Sequence, residues 1–136
     1  MKSRSESLIR LKKFQVDEKR RQVTQIEMMI ADFQRMAAEL DQQIEIEQAK
    51  TGISDVAHFA YSTFARAAIA RRDNLLASAA DMRDKLEAAQ DALAEAVEDL
   101  KKVELLDQRE TQREAAEQSR QEQAEYDEIA RQRFLR

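Results

Sequence analysis

Turn-forming residues are almost missing from this sequence. Its 136 residues include one glycine, Gly52, and no proline. Compact α/β and all-β folds reverse direction many times, and their turns depend on Gly, Pro, Asn and Asp. Long stretches rich in Ala, Glu, Leu, Lys, Arg and Gln favour helices instead. The sequence therefore predicts an all-α fold with one main reversal, at Gly52.

The segment around Gly52 predicts a tight turn between two long helices. Glycine adopts the left-handed conformation that ends many helices without a steric penalty. Ser54 or Asp55 can then cap the next helix by accepting a hydrogen bond from a free backbone N–H. We expect one coiled-coil domain over residues 1–136. Within it we expect helix 1 over about 3–50, a turn over 51–54 and helix 2 over about 55–133.

Each predicted helix carries an apolar stripe with the spacing of a coiled coil. In helix 1 the stripe runs through Val23, Ile26, Ile30, Phe33, Ala37, Leu40 and Ile44. In helix 2 it runs through Leu75, Ala79, Met82, Leu86, Ala89, Leu93, Ala96, Leu100 and Val103. Steps of three and four residues place these side chains on one face, which needs an apolar partner. The fold class is therefore a long antiparallel two-helix coiled-coil hairpin, with Val23 opposite Met82 and Ile30 opposite Leu75.

Helix 2 extends beyond helix 1 in this prediction. Its apolar stripe ends at Val103, and the only apolar residues from 107 to 125 are three alanines, Ala115, Ala116 and Ala124. A helix that is polar all round is a lone solvated helix, a frayed one, or one held by a partner. We expect residues 107–133 to form this overhang.

Charge is unevenly distributed along the chain. The net charge is −4, yet residues 1–21 contain eight Lys and Arg against three Asp and Glu. A basic end can attract acidic protein, anionic lipid or nucleic acid, or it can be an ordinary solvated helix face. Because the chain has no recognised nucleic-acid module and no interleaved stacking aromatics, we expect no nucleic-acid binding.

Residues suited to catalysis or metal binding are scarce. The chain has no cysteine and one histidine, His58, which cannot build a metal site without other convergent ligands. No HExxH, GxSxG or P-loop motif occurs. A two-helix hairpin also offers no enclosed cleft that would tune paired carboxylates. We therefore expect no enzyme activity, no catalytic or metal-binding residues and no cofactor.

Membrane insertion and secretion are not expected either. No apolar run approaches the ~20 residues that cross a bilayer. The first residues are basic but lack the continuous apolar stretch of a secretory signal. A cytoplasmic protein is the expectation.

Three aromatic residues, Phe59, Tyr61 and Phe64, lie close together beside the predicted turn. Tyr61 fits the apolar stripe, Phe59 points nearly the opposite way, and Phe64 lies at the flank of the stripe. An exposed aromatic at a hairpin tip would form a docking spot. The alternative is packing at the tip against Ile46 and Ile53.

A second group lies near the end of helix 2, where Tyr126, Asp127, Glu128, Ile129 and Arg133 form a terminal patch. At the basic end of the chain, Phe14 lies off the stripe of helix 1. Both groups could contact a partner. The alternatives are a solvated charged face for the patch and an ordinary exposed apolar residue for Phe14.

The C-terminal sequence Gln123-Ala-Glu-Tyr126-Asp127-Glu128-Ile129-Ala130 resembles a pattern of the flagellar export protein FliJ family. That pattern is Gln, two residues, an apolar residue, Asp-Glu, an apolar residue and Ala. The N-terminal Leu8-Ile9-Arg10-Leu11-Lys12, the break near residue 50 and the total length also resemble the family. The resemblance covers the whole chain in architecture and about eight residues as a motif.

The resemblance implies a non-enzymatic component of the bacterial flagellar type III export apparatus, which serves motility. Such a protein would bind the export ATPase ring as a central-stalk-like coiled coil and contact the membrane export gate and export chaperones. It would be cytoplasmic, peripheral to the inner membrane at the flagellar base, and a monomer when free. The expected ATPase contacts are Leu8, Leu11, Phe14, Tyr126, Asp127, Glu128, Ile129 and Arg133. The expected gate or chaperone contacts, carried over by position only, are Phe59, Tyr61 and Phe64.

Two other functions fit the same residues. One is a generic coiled-coil scaffold or oligomerisation protein, in which the overhang pairs with a second copy. The other is the equivalent stalk protein of a virulence injectisome. A concentration-dependent dimer would favour the scaffold, whereas a free monomer would favour a stalk.

Overall fold

The computed structural model describes residues 2–135, with side chains from residue 4 to 135. It contains helix α1 (Lys2–Thr51) and helix α2 (Thr63–Leu135), joined by a loop over 52–62. No strand occurs among these residues. The predicted all-α, antiparallel two-helix coiled-coil hairpin with a longer second helix is confirmed.

Packing within the chain falls into two units, and both helices contribute to each. The first unit comprises Met1–Val16 and Glu95–Arg136, and the second comprises Asp17–Ala94. The single domain expected from the sequence stays a prediction. Neither helix is long and apolar enough, within the described residues, to span a bilayer.

The core of the second unit is a narrow seam built on a seven-residue repeat. The buried residues of α1 are Val23, Ile30, Ala37 and Ile44, and those opposite them are Tyr61, Ala65, Ala68 and Ala79. The intervening stripe residues of both helices are half-buried. The large aliphatic residues Val23, Ile30 and Ile44 of α1 thus share the seam with three small alanines of α2, as interdigitated packing prefers.

The connection between the helices is longer than the sequence predicts. The expected turn over 51–54 is an eleven-residue loop over 52–62, and α2 begins at Thr63 rather than near residue 55. The left-handed glycine is confirmed, since Gly52 has φ 71° and its N–H donates to the carbonyl of Gln48 at 2.9 Å. The loop is longer than predicted because the sequence analysis chose the wrong capping residue for α2.

Ser62, not Ser54 or Asp55, caps α2. The backbone N–H of Ala65 donates to Ser62 Oγ at 3.2 Å, the usual N-cap bond. Asp55 instead accepts a hydrogen bond from Ala57 N at 2.9 Å. A short polar side chain that bonds its own backbone two residues on stabilises a turn in competition with a helix. Suitable capping residues occur both at 54–55 and at 62. At Asp55 the side chain stabilises a turn, so the helix begins only after Ser62.

The longer loop changes which residues face each other. The tight-turn register would place Phe64 opposite Asp41, but Asp41 accepts a hydrogen bond from Arg72 at 2.9 Å. Near the loop, Gln48 bonds Tyr61, which lies later in the chain than that register predicts. Partners in α2 therefore lie roughly half a heptad to one heptad later than predicted. Because both stripes repeat, they still meet, although the tight-turn register that paired Val23 with Met82 does not hold at Asp41 and Gln48.

In the first unit the same pattern of burial continues and then stops. On α1, Val16 is buried and Ile9 is half-buried; on α2, Leu100 and Val103 are half-buried. From residue 108 to residue 135 every side chain of α2 is exposed. This last part of α2 is therefore helix without a described packing partner.

Candidate interaction surfaces

The loop between the helices exposes an aromatic surface. We define the tip surface as Val56, His58, Phe59 and Phe64. Phe59 is 96% exposed, and its ring stacks on that of His58 with centroids 4.7 Å apart. Val56 and Phe64 are about half exposed. Two of the three predicted aromatic contact residues, Phe59 and Phe64, are therefore accessible to a partner.

Hydrogen bonds within the loop hold Phe59 in this position. The carboxylate of Asp55 accepts from Ala57 N, and its carbonyl accepts from His58 N at 3.0 Å. His58 Nδ1 accepts from Ala60 N at 3.0 Å, and its carbonyl accepts from Tyr61 N at 3.1 Å. The only histidine thus has a structural role, because its ring orders the backbone next to Phe59.

Tyr61 supports the tip surface from beneath. It is 5% exposed, and its hydroxyl accepts a hydrogen bond from Gln48 Nε2 at 2.9 Å. The guanidinium of Arg66 lies 5.5 Å from the Tyr61 ring centre and donates to the carbonyl of Val56 at 3.1 Å. A contact residue needs accessible area, so Tyr61 is better described as the anchor of the loop than as a docking residue.

A shallow groove follows one flank of the seam in the second unit. We define the flank groove as Met36, Leu40, Gln43, Phe64, Arg71 and Leu75. It consists of two adjoining depressions of about 270 and 240 Å³ that share Leu40, Gln43 and Arg71. Sequence reasoning identified only Phe64 here. The available signal was that Met36 and Phe64 each precede a buried alanine, which places both at the flanking heptad position.

The end of α2 carries an exposed apolar stripe. We define the C-terminal patch as Tyr126, Ile129, Ala130, Arg133 and Phe134, which line one depression. Tyr126 is 69% exposed and Phe134 91%. The structure thus brings the predicted Tyr126, Ile129 and Arg133 onto one face and adds two residues that the prediction omitted.

The predicted acidic pair lies beside this patch. Asp127 accepts a hydrogen bond from Gln123 at 3.0 Å, and Glu128 forms an ion pair with Arg131. Both are one-turn contacts on an exposed helix, which contribute little to stability. Asp127 and Glu128 therefore keep most of their charge available to a partner.

The C-terminal patch is not a continuation of the seam between the helices. At ~100° per residue, Tyr126 and Arg133 lie more than about 100° round α2 from Val103, the last apolar residue of the seam. A stripe turned so far from the seam needs a separate partner. Leu105 and Leu106 are exposed just after Val103. From 108 to 125 the side chains are polar apart from three alanines and pair locally, as Arg120 does with Glu117 at 2.6 Å.

A further apolar group is exposed on the first turns of α1. We define the N-terminal face as Leu8, Leu11 and Phe14, which are 43%, 50% and 54% exposed. The residues of α1 that enter the seam here are Ile9 and Val16, on a different side of the helix. The three predicted contact residues of this segment are therefore accessible.

Chemistry-bearing side chains do not converge anywhere in the described part of the chain. It contains no group of three or more His, Cys, Asp or Glu placed to hold a metal ion, and no buried polar or charged residue. Hydrogen bonds to Asp41 and Asp73 raise the pKa of the Arg72 guanidinium. Its position between the helices indicates a role in packing.

Comparison with known protein families gives one result. A family model described as flagellar FliJ protein matches residues 1–136, the whole chain. Neither the curated proteins nor the solved structures with which the chain was compared include a significant match. The resemblance read from the C-terminal motif is confirmed, and FliJ-family proteins are non-catalytic components of flagellar protein export. The chain therefore belongs to the FliJ family and is an export-associated protein of the flagellum.

Proposed function

We propose that this protein is a stalk that enters the ring of the flagellar export ATPase with the free end of α2. The tip surface then meets the membrane export gate or an export chaperone. The observation that supports this most is the exposure of every residue of α2 from 108 to 135. A helix of this length without an internal partner is stabilised by an external one.

The polar part of this helix suits a ring. A helix surrounded by protein on all sides meets polar groups in every direction, so a single apolar stripe would bind one wall and prevent rotation or exchange. Residues 108–125 have charged or amide side chains all round, and their only apolar residues are alanines. Alternating charges, such as those of Glu117 and Arg120, favour orientation and rapid association more than tight binding.

The C-terminal patch supplies the part of the contact that gives affinity. Tyr126, Ile129 and Phe134 are large, exposed and on one face, and Arg133 lies among them. Aromatic residues and arginine dominate the energetic centres of protein interfaces. Asp127 and Glu128 border the patch and would pair with basic groups of the ATPase.

At the loop, Phe59 and Phe64 supply the contact with the export gate or a chaperone. Phe64 also lines the flank groove, so a partner that covers the tip surface can continue along Leu40 and Leu75. This arrangement agrees with a location in the cytoplasm, peripheral to the inner membrane at the flagellar base. The family match favours the flagellar system over the injectisome.

The test is the ATPase rate of the cognate export ATPase with this protein added. We expect stimulation by the full chain, and its loss with Tyr126→Ala combined with Ile129→Ala. Both side chains are exposed, so the thermal melt of the variant should match that of the wild type. A matched control is Arg83→Ala with Glu87→Ala, at exposed positions of the same helix outside residues 108–135. Stimulation that survives in the patch variant and is lost in the control would refute the assignment.

The competing function is a coiled-coil scaffold whose free helix pairs with a second copy. Analytical ultracentrifugation over a wide concentration range separates the two. We expect a monomer throughout. A dimer that the same Tyr126→Ala and Ile129→Ala substitutions dissociate, together with no effect on the ATPase, would establish the scaffold instead.

A further inference from the structure

The N-terminal face has a wide apolar arc bordered by positive charge. At ~100° per residue, Leu8, Leu11 and Phe14 spread over about 120° of α1. The centre of this arc lies about 150° from the side on which Ile9 and Val16 enter the seam. The face is therefore directed away from α2 and has no described covering.

Basic residues outnumber acidic residues on and beside this arc. Between residues 4 and 14 the chain has Arg4, Arg10, Lys12 and Lys13 against one acid, Glu6. Arg10 and Lys12 lie about 40° beyond the two edges of the arc, and Arg4 falls within it. Glu6 lies about 80° beyond the edge at Phe14. Glu18, one turn after Phe14, falls within the arc, whereas Lys19 and Arg21 lie about 20° beyond its two edges. The net charge that faces a surface laid against this face is therefore positive.

We propose that the N-terminal face binds the surface of an anionic lipid bilayer, with α1 lying in the plane of the headgroups. Interfacial helices combine Leu and Phe on one side with Lys and Arg at the edges, where long side chains reach the headgroups. Three half-exposed apolar residues give weak binding by themselves, so the negative charge of the lipid is needed.

A bilayer fits this face better than a protein pocket does. Residues that anchor protein interfaces cluster at the centre of a contact and fill pockets. Here successive steps of three residues fan the side chains around the helix, which makes the face broad and shallow. A deformable lipid surface accommodates such a face. The ATPase contact predicted from the sequence for Leu8, Leu11 and Phe14 stays a prediction, and the experiments below separate the two.

The inference deepens the peripheral membrane location in the proposed function, and rests on that proposal only for its biological setting. It uses residues that the ATPase proposal does not need, because that contact was assigned to the C-terminal patch. Vesicle binding and ATPase stimulation can therefore fail independently, and each failure refutes a different proposal.

A fluorescence experiment on the full chain tests the depth of this contact. The chain has no tryptophan, so Phe14→Trp introduces a single reporter. We expect its emission to shift to the blue with phosphatidylcholine vesicles that contain phosphatidylglycerol, and to stay unchanged with phosphatidylcholine alone. Met28→Trp is the matched control, because Met28 is 61% exposed on the same helix and follows an acidic residue, Glu27. Its emission should not respond to either vesicle.

Vesicle co-sedimentation tests the role of the charges. Replacing Arg4 and Arg10 by Gln should weaken binding about fivefold for each residue. Arg83→Gln with Arg113→Gln removes the same charge from exposed sites elsewhere and should leave binding unchanged. Leu8→Ser with Leu11→Ser should weaken binding about tenfold or more.

Four results would overturn the proposal. The first is the absence of a blue shift from the Phe14→Trp variant with anionic vesicles. The second is an equal shift with neutral vesicles, and the third is binding that both arginine pairs reduce alike. If Leu8→Ser with Leu11→Ser abolished ATPase stimulation while leaving vesicle binding intact, the face would belong to the ATPase.

Discussion

Arg72 joins the two helices by donating a hydrogen bond from Nη1 to Asp41 Oδ1 at 2.9 Å. The same guanidinium donates to Asp73 on its own helix at 3.1 Å. Both bonds raise the pKa of Arg72 above its ordinary value, and the bond to Asp41 contributes most. A group whose pKa is raised on folding stabilises the fold at every pH below its unfolded value and loses that contribution only above it. The arginine therefore contributes uniformly through the physiological pH range.

The pair can be measured with a double-mutant cycle of Arg72→Ala and Asp41→Ala. Because the Asp41 side chain is 52% exposed, we expect a coupling free energy of only about 0.2–1 kcal/mol. Urea denaturation at low and high salt provides the measurement, and the coupling should fall as salt rises. A salt-independent coupling of several kcal/mol would contradict this description.

Gly52 is the one described residue with positive φ, at 71°. A Cβ added there would meet no atom within 4 Å, so the effect of Gly52→Ala is conformational rather than steric crowding by neighbours. We expect a loss of about 1–2 kcal/mol in the free energy of unfolding. Gly52→Asn should cost less, because asparagine tolerates the left-handed region better. Equal effects of the two substitutions would show that the helix end rearranges.

Tyr61 and Phe59 should separate stability from binding. Tyr61→Phe removes the hydrogen bond to Gln48 and should lower the free energy of unfolding by about 0.5–1.5 kcal/mol. Phe59→Ala removes a side chain that is 96% exposed and should change stability by less than about 0.5 kcal/mol. Thermal or urea denaturation gives both values. In a binding assay with the export gate or a chaperone, Phe59→Ala should be the more damaging. The reverse order in either measurement would exclude Phe59 as the docking residue.

Amide hydrogen exchange should differ between the packed and the unpacked part of α2. Amides in the half that contains the buried Ala65, Ala68 and Ala79 should be protected, whereas those of 108–135 should exchange within the dead time or nearly so. Adding the export ATPase should slow exchange at 108–135, because an isolated helix gains most from an external partner. Strong protection of this segment in the free monomer would contradict its lack of packing.

The sequence predicted the helices well because their signal is repeated. Every turn of α1 that places a stripe residue such as Ile30 or Ile44 adds to the same conclusion. The loop could not be predicted in that way, because it depends on a single competition between Asp55 and Ser62 as capping residues. Propensities at these two positions are nearly equal. The outcome is decided by tertiary contacts such as that of Ser62 with Glu47 at 3.0 Å.

The sequence predicted only some residues of the interaction surfaces. Phe59, Tyr126 and Ile129 stood out because large apolar residues off a stripe are visible in a sequence. Met36 and Leu75 of the flank groove did not, because each also fits an ordinary seam or flank position. Their shared groove depends on the register between the helices, and the register depends on the loop.

The hydrogen-bonded loop also has a kinetic consequence. A partner that docks on Phe59 meets a side chain already held by the backbone bonds of Asp55 and His58, so no slow ordering step precedes contact. We expect association at the ordinary rate for rigid docking, about 10⁵–10⁷ M⁻¹s⁻¹. Substitutions in the tip surface should then change mainly the dissociation rate of the complex, whereas its association rate should stay nearly constant.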